Sequence, residues 1–311
     1  MTTPTPTIVT RDNFAQAYTN MRLGAITKLA GGVNINHEMP VPPSDPAKQF
    51  VVRMNRDTWY SVACVDFSSG SVYITIPESE RYISTQIVDE NHETAPMIYG
   101  SGRHRLTAKT DYGFVNVRAL EDGVCGNITY EAGSANPFEV KEWDMESFRE
   151  LDKLGNKIFA SDGYIQREAF GNKESGQTDY QKFLGVAAGW GGAMVQDAVY
   201  QTSPALDPDG CYEATFVDPK DEYFWSATVY NADGRLFNDV ANLSSESNPL
   251  QNPDGTFTLR FGCEGHPNNI PIREGNTTGQ FNVLMRHYGP SEQVLNDEDG
   301  YDMTRLIRKV K

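Results

Sequence analysis

The stretch Met54-Asn55-Arg56-Asp57-Thr58-Trp59-Tyr60-Ser61 leads directly into the apolar run Val62-Ala63-Cys64-Val65. Polar residues that can form hydrogen bonds therefore stand where an apolar β-strand begins, and two aromatic rings accompany them. The stretch predicts an early strand of a β domain with a cluster of polar side chains at its start. We expect the rest of the N-terminal half to pack around it.

Short strand-like segments separated by turn residues continue on both sides of this stretch. The predicted strands cover residues 72–76, 82–89, 114–118 and 127–130 in the first half, and 212–217, 224–230, 256–261 and 281–288 in the second. The tail, residues 301–311, is predicted to add an edge strand. Short strands divided by turns are typical of a sandwich or jelly roll rather than a parallel sheet.

Helical spacing interrupts the strands in two places. Apolar residues recur at helical intervals from Asp12 until Gly31, and Asp144 is a suitable cap for a helix that carries Phe148 and Leu151 on one face. The layout predicts a mainly β fold with a helical connector (α+β), built from two β-sandwich or jelly-roll-like domains. The predicted limits are 1–34 for a helical leader, 35–137 for the first β domain, 138–203 for the helical linker and 204–311 for the second β domain.

The 311-residue chain is acidic, with a formal net charge of −15 and an isoelectric point of about 4.8. Because it has no basic cluster, we expect it to repel nucleic acid and anionic membrane surfaces. No run approaches the roughly 18 apolar residues of a membrane-spanning helix, and the first residues lack the features of a signal peptide. These properties predict a cytoplasmic protein with no nucleic-acid or membrane partner.

The four cysteines, Cys64, Cys125, Cys211 and Cys263, include no closely spaced pair, so neither a zinc knuckle nor a redox motif is expected. Disulfides are neither excluded nor required. The sequence also lacks a Gly-x-Ser-x-Gly elbow and a phosphate-binding Gly-rich loop with its lysine. We therefore predict no nucleotide or other cofactor.

The first candidate site is the polar start of the strand. Arg56 and Asp57 beside Tyr60 could hold a carboxylate or polarise a carbonyl, since arginine offers a planar fork of donors. A structural alternative is that Asn55 and Asp57 cap the strand by bonding nearby amides while Arg56 neutralises Asp57.

The second candidate is the acidic segment Asp89-Glu90-Asn91-His92-Glu93, at the end of a predicted strand. Its carboxylates and imidazole could act as a general acid and base or bind a metal. The spacing matches no metal site that we can assign, so no metal is predicted. A solvated loop is the alternative.

The third candidate is Arg286-His287-Tyr288. Strand alternation places Arg286 and Tyr288 on one face and His287 on the other. A buried Arg286 would need an anionic partner, either Asp57 or a ligand, whereas a surface ion pair is the alternative. Trp225, in another predicted strand, could line a ligand site but is more typical of a core.

Long motifs in both halves resemble two known families. The segment Asn55-Arg56-Asp57-Thr58-Trp59-Tyr60-Ser61, with residues 65–68 and 82–89, resembles the DUF1254 family, and residues 223–234, 252–259 and 281–288 resemble the DUF1214 family. The resemblance implies two β-sandwich or jelly-roll-like domains joined by helices and often assembled into oligomers. Many members carry a signal peptide, which we do not expect here from the first residues of the sequence, and no general activity is established for either domain.

These patterns together predict a polar pocket, shared by the two β domains, that binds a small organic molecule. The expected ligand-binding residues are Asn55, Arg56, Tyr60, Asp89, Trp225, Arg286 and Tyr288. If the protein is an enzyme, we expect metal-independent hydrolysis or proton transfer, with Asp57 or His92 as the base and Arg56 polarising a carbonyl. The alternative is a non-catalytic binding or assembly module that forms homo-oligomers and uses the Asn55 stretch structurally.

Overall fold

The computed structural model describes residues 5–39, 45–49, 52–162, 167–296 and 302–311. Its helices are α1 (Phe14–Ala30), α2 (Met145–Asp162), α3 (Asp179–Gly189) and α4 (Glu292–Leu295). The strands are β1 (His37–Met39), β2 (Trp59–Asp66), β3 (Val72–Ile76), β4 (Ile83–Asp89), β5 (Ile98–Tyr99), β6 (Gly102–Leu106), β7 (Tyr112–Ala119), β8 (Thr129–Glu131), β9 (Ala198–Thr202), β10 (Tyr212–Val217), β11 (Phe224–Asn231), β12 (Asn242–Ser244), β13 (Thr256–Phe261), β14 (Asn269–Ile270), β15 (Phe281–Tyr288) and β16 (Arg308–Lys309). The fold is mainly β, as the sequence predicted.

The chain divides into two compact units. Unit 1 comprises Met1–Val41, Thr58–Ser161 and Gln166–Met194, and unit 2 comprises Pro42–Asp57, Asp162–Ile165 and Val195–Lys311. The division falls between Asp57 and Thr58, so the polar residues before β2 belong to unit 2 while the strand itself belongs to unit 1. The domain limits expected from the sequence stay predictions.

Unit 1 is built from two sheets. The larger has the order β1-β2-β7-β4-β5 and the smaller the order β6-β3-β8, with antiparallel pairing in both. Alternate residues of each strand face the other sheet, and one buried core joins Ala63 and Val117 of the larger sheet to Ile74 and Leu106 of the smaller. This packing makes unit 1 a β-sandwich.

Helix α1 packs on the outer face of the larger sheet in unit 1. Leu23 and Ile26 of α1 pack against Cys64 and Phe114 of the sheet. Gly31 ends α1 in the left-handed conformation expected of a helix C-terminus, as the sequence predicted. Asn13, rather than Asp12, occupies the N-cap position.

Unit 2 repeats the two-layer arrangement with sheets of order β12-β11-β15-β9 and β14-β13-β10-β16. Ala227 and Val283 of the first sheet share a core with Phe216 and Leu259 of the second. The tail strand β16 pairs with β10 at the sheet edge, which confirms the edge strand expected there. Within the described ranges, none of the helices combines the length and apolar character needed to cross a membrane.

A disulfide joins Cys211 to Cys263 in unit 2. Cys211 precedes β10 and Cys263 follows β13, and the antiparallel register of these strands pairs Tyr212 with Phe261. The disulfide therefore closes one end of this strand pair across a sequence separation of 52 residues. Cys64 and Cys125 are buried thiols, as expected for Cys64.

Candidate functional site

The sheet of unit 2 carries an apolar face and a polar face. Trp225, Ala227 and Val229 of β11 point into the core, so the residues between them point the other way. The same alternation in β15 places Arg286 and Tyr288 on the polar face and confirms that His287 lies on the opposite one. The segment of residues 52–57 lies against this polar face through the hydrogen bonds described below.

The Asp57 cluster consists of Asn55, Asp57, Ser226, Asn242 and Tyr288. The Asp57 carboxylate accepts a hydrogen bond of 2.6 Å from Ser226 Oγ and another of 2.6 Å from Asn242 Nδ2. The Tyr288 hydroxyl lies 3.5 Å from Asp57 Oδ2 and accepts a 2.8 Å bond from Asn55 Nδ2. The Asp57 amide donates to Asn55 Oδ1 at 2.5 Å. These bonds hold a half-buried carboxylate in one orientation.

One acceptor in this cluster is unmet. Asn242 Oδ1 is buried and has no hydrogen-bond partner among the described residues, whereas the Nδ2 of the same amide is committed to Asp57. The carboxylate fixes this orientation, because only the amide nitrogen can donate to it. The cluster therefore presents an amide oxygen beside a fixed carboxylate, and both groups accept hydrogen bonds.

A second network, centred on Arg286, lies on the same sheet face. The guanidinium is 2% exposed and donates to Thr228 Oγ1 at 3.0 Å, to the Arg53 carbonyl at 2.8 Å and to the Tyr230 hydroxyl at 2.7 Å. Burial lowers the pKa of Arg286, but the oxygens of Tyr230 and Tyr288 and the Asp57 carboxylate outweigh it and raise the pKa overall. Arg286 therefore stays charged, and Asp57 belongs to its anionic surroundings, as the sequence suggested.

Four of the expected ligand-binding residues are not members of this cluster: Arg56, Tyr60, Trp225 and Asp89. Arg56 donates to the carbonyl of Asp239 at 3.0 Å. Trp225 is buried in the unit 2 core, where its ring meets Phe216 and Phe257 edge-on. Tyr60 belongs to β2 of unit 1, where the Arg118 guanidinium lies 5.6 Å from its ring centroid. The shared interdomain pocket stays a prediction.

Asp89 and His92 both lie in unit 1, where β4 ends in a tight turn. Asp89 Oδ1 accepts hydrogen bonds from the amides of Asn91 and Glu93, at 2.9 and 2.8 Å, which is typical of a turn-stabilising carboxylate. His92 is fully buried, with a φ of +57°. Its Nε2 accepts a 3.2 Å bond from the amide of Gly191. This geometry favours a structural role for the turn, and the catalytic role of His92 stays a prediction.

Gly191 and Gly192 follow Trp190 after α3, and their backbone approaches other elements closely. A side chain at Gly192 would collide with the ring of Phe170. Glycine at this position therefore permits close contact between the backbone and the ring.

The His92 environment predicts a specific dependence of stability on pH. Burial first, and the nearby Lys182 ammonium second, lower the pKa of His92 from 6.5 to about 3. Between pH 6.5 and about 3, the unfolded chain therefore binds a proton at His92 that the folded chain does not bind. The stability that comes from keeping His92 neutral is fully present above pH 6.5 and is lost as the pH falls towards 3.

We expect His92→Asn, which tolerates the positive φ, to lose less stability between pH 6.5 and pH 4 than the wild type. Urea unfolding at several pH values measures this difference. His266→Asn is the matched control, because His266 is exposed. Equal pH dependence in the wild type and His92→Asn would contradict the assignment.

Ser226 and Asn242 are the site residues that sequence reasoning missed. Each lies within a strand whose sequence carries no functional motif. The pairing of β11 with β12, within the fold of unit 2, brings both residues to Asp57. The strand period separates Ser226 from Trp225, which was the one available signal, and the register of β11 with β15 is what pairs Ser226 with Arg286. Among the described residues, no group of three or more His, Cys, Asp or Glu side chains is arranged to hold a metal ion.

Comparison with known proteins identifies two domains in this chain. Residues 35–131 match the family described as protein of unknown function (DUF1254), and residues 194–292 match the family described as protein of unknown function (DUF1214). None of the curated proteins matches the sequence.

Two solved structures have the same fold. The VPA0106 protein from Vibrio parahaemolyticus is 14% identical, with a TM-score of 0.67 over 97% of this chain and 98% of its own. An uncharacterised protein from Burkholderia cenocepacia is 13% identical, with a TM-score of 0.55 over 90% of this chain and 85% of its own. At this identity the likeness concerns the fold alone. The two domain matches, in this order along the chain, place it in the tandem DUF1254–DUF1214 family.

Proposed function

We propose that this protein binds a small polar organic molecule through the Asp57 cluster of unit 2. The observation that carries the proposal is the half-buried Asp57 carboxylate, held by short bonds from Ser226 and Asn242. A carboxylate fixed in advance loses little conformational entropy when a ligand binds. The unmet Asn242 Oδ1 lies beside it.

The chemistry of the cluster defines the ligand class. Asp57 and Asn242 Oδ1 both accept hydrogen bonds, so the matching ligand presents donors, as hydroxyl or ammonium groups do. A ligand that supplies a donor to a buried, unpaired acceptor removes a cost of about 1–3 kcal/mol. The complementary class is therefore a small polyol, sugar or amine rather than a simple anion.

A thermal-shift screen of small polyols, sugars, amines, acids and esters tests this proposal. We expect donor-rich compounds to raise the unfolding midpoint of the wild type, because a ligand that binds only the folded state stabilises it by mass action. Asp57→Asn is expected to abolish those shifts. Asp239→Asn, at an exposed carboxylate of the same unit, is the matched control and should keep them.

Asp57→Asn suits this test because the fold can accommodate it. Asn242 can rotate its amide so that its unmet oxygen accepts from the new side chain, and Ser226 can still donate to the remaining oxygen. The hydrogen bonds are therefore kept in neutral form, and the expected loss of stability without ligand is about 1–3 kcal/mol because Arg286 loses a nearby negative charge. Ligand-induced shifts of equal size in Asp57→Asn and the wild type would contradict the proposal.

Metal-independent hydrolysis is a finer proposal for the same cluster, with Asp57 as the general base. The expected role of Arg56 has less support, since its guanidinium already donates to the Asp239 carbonyl. Turnover of nitrophenyl esters by the wild type and its loss in Asp57→Asn would support hydrolysis. Equal turnover by both proteins would contradict it.

The competing function is a non-catalytic assembly module in which residues 52–57 are purely structural. Its support is that the Tyr230 hydroxyl donates to the Met54 carbonyl and Arg286 to the Arg53 carbonyl, so these bonds fasten the segment to the sheet. Homo-oligomers belong to this proposal, and light scattering coupled to size-exclusion chromatography measures them. The two functions differ in whether Asp57 affects ligand binding or only folding.

The cytoplasmic location expected from the sequence also remains a proposal. The Cys211–Cys263 disulfide weighs against it, because disulfides persist mainly in oxidising compartments. Thiol alkylation of the protein inside cells, followed by mass spectrometry, measures the state of this pair. A reduced pair in cells would favour the cytoplasm, and an oxidised pair would favour an oxidising compartment.

A further inference from the structure

Unit 1 contains a cavity of about 210 Å³, and none of its lining residues belongs to the Asp57 cluster. It lies beside the first turns of α1 and α3 and the turn after β4, which contribute Ala15, Phe183 and Asn91 to its lining. Pockets for drug-sized ligands usually measure about 300–1,000 Å³. This cavity therefore suits a smaller molecule.

The ionisable side chains that line the cavity balance in charge. Three are basic and three are acidic, so their formal charges sum to zero: Arg11, Lys173 and Lys182 against Asp12, Glu93 and Asp179. A simple anion would meet three carboxylates there, and a simple cation would meet three basic groups. A molecule that carries both charges meets a partner for each.

Among the described residues that line the cavity, one oppositely charged pair is formed, and its carboxylate also pairs with Lys109 outside the lining. Lys182 Nζ lies 3.7 Å from Glu93 Oε1, and both side chains are largely buried, at 11% and 12% exposed. Lys182 also donates to the Asn91 carbonyl at 3.4 Å. This pair is a fixed, partly desolvated part of the wall, where charges interact more strongly than in open water.

The other four ionisable side chains of the cavity form no ion pair with the described residues. Among the described residues, Arg11, Asp12, Lys173 and Asp179 lie within ion-pair distance of no opposite charge. Two basic and two acidic side chains thus face the same small space without neutralising one another. Phe183, whose ring lies 5.8 Å from the Arg11 guanidinium, adds an apolar surface.

We propose that this cavity binds a small zwitterion of the α-amino acid class. The ligand carboxylate would pair with Arg11 and Lys173, and its ammonium with Asp12 and Asp179. Phe183 and Ala15 offer apolar contact to a short side chain.

Isothermal titration of the full chain at low salt, with each standard α-amino acid in turn, tests this proposal. Acetate and ethylamine, which carry one charge each, are the ligand controls. We expect saturable binding of at least one amino acid and weaker binding of both controls. Arg11→Gln and Asp12→Asn should each reduce the affinity for that amino acid about tenfold, because each removes one charged contact.

The matched protein controls are Arg105→Gln and Asp122→Asn, which make the same changes at exposed positions of unit 1 outside the cavity. They should bind as the wild type does. Circular dichroism checks that all four variants are folded, which is expected since every changed residue is exposed. The proposal is overturned if no amino acid binds saturably, if acetate binds as tightly as the best amino acid, or if the control variants weaken binding as much as Arg11→Gln.

Discussion

Replacing Arg286 with methionine is expected to lower the free energy of unfolding by roughly 3–5 kcal/mol. The substitution keeps an unbranched apolar stem but removes the charged donors to the Tyr230 hydroxyl and the Arg53 carbonyl. Both acceptors lie in a buried network, and hydrogen bonds to charged groups contribute more than neutral ones. Asp57 would also lose a buried positive charge nearby.

Equilibrium unfolding in urea measures this loss, and Arg56→Met is the matched control. The Arg56 guanidinium lies 3.9 Å from the carboxylate of Asp239, whose side chain is 79% exposed. The Arg56 side chain is itself only 14% exposed, but its carboxylate partner lies largely in solvent, so we expect the pair to contribute on the order of 1 kcal/mol. Equal losses in the two variants would contradict the view that Arg286 organises the polar face of unit 2.

Loss of the Cys211–Cys263 disulfide is the second large effect expected. The disulfide joins residues 52 apart in the sequence. The chain-entropy relation for a loop of this length gives a stabilisation of roughly 4 kcal/mol, and measured values usually lie at about 2–4 kcal/mol. We therefore expect the double variant Cys211→Ala/Cys263→Ala to unfold at a clearly lower urea concentration than the oxidised wild type.

A reducing agent provides the control for this prediction. Reduction should lower the midpoint of the wild type towards that of the double variant and leave the double variant unchanged. Cys64 and Cys125 are buried thiols in unit 1 and do not respond in the same way. A wild-type midpoint that is insensitive to reduction would show that the pair contributes nothing to stability.

Local patterns were sufficient for most of the fold. Strand alternation placed Arg286 and His287 on opposite faces, and helical spacing located α1 up to Gly31. The Cys211–Cys263 disulfide could not be predicted, because the pairing of β10 with β13 that brings the two cysteines together is set by the whole core of unit 2.

The candidate site shows the same division between local and distant information. Asn55, Asp57, Arg286 and Tyr288 were identified because polar groups at strand ends need partners, and the structure does bring them together. Asn242 was missed because nothing in its own neighbourhood in the sequence marks it. Its importance depends on the pairing of β12 with β11.

His92 illustrates the opposite difficulty. Histidine beside several carboxylates is typical of acid–base chemistry, and this pattern made it a candidate base. The structure buries the ring and points the Gly191 amide at Nε2, so the neutral form is favoured. Gly191 lies in a turn 99 residues further along the chain. No local sequence pattern reveals that this turn approaches His92.

Calorimetric titration of the wild type and Asp57→Asn with the most stabilising compound of the thermal-shift screen is the most direct test of the proposed function. If the Asp57 cluster is a ligand site, the wild type binds this compound saturably, and Asp57→Asn, although folded, binds it at least about tenfold more weakly. Equal affinities of the two proteins would contradict this account and leave the cluster as a structural fastening of residues 52–57 to the sheet.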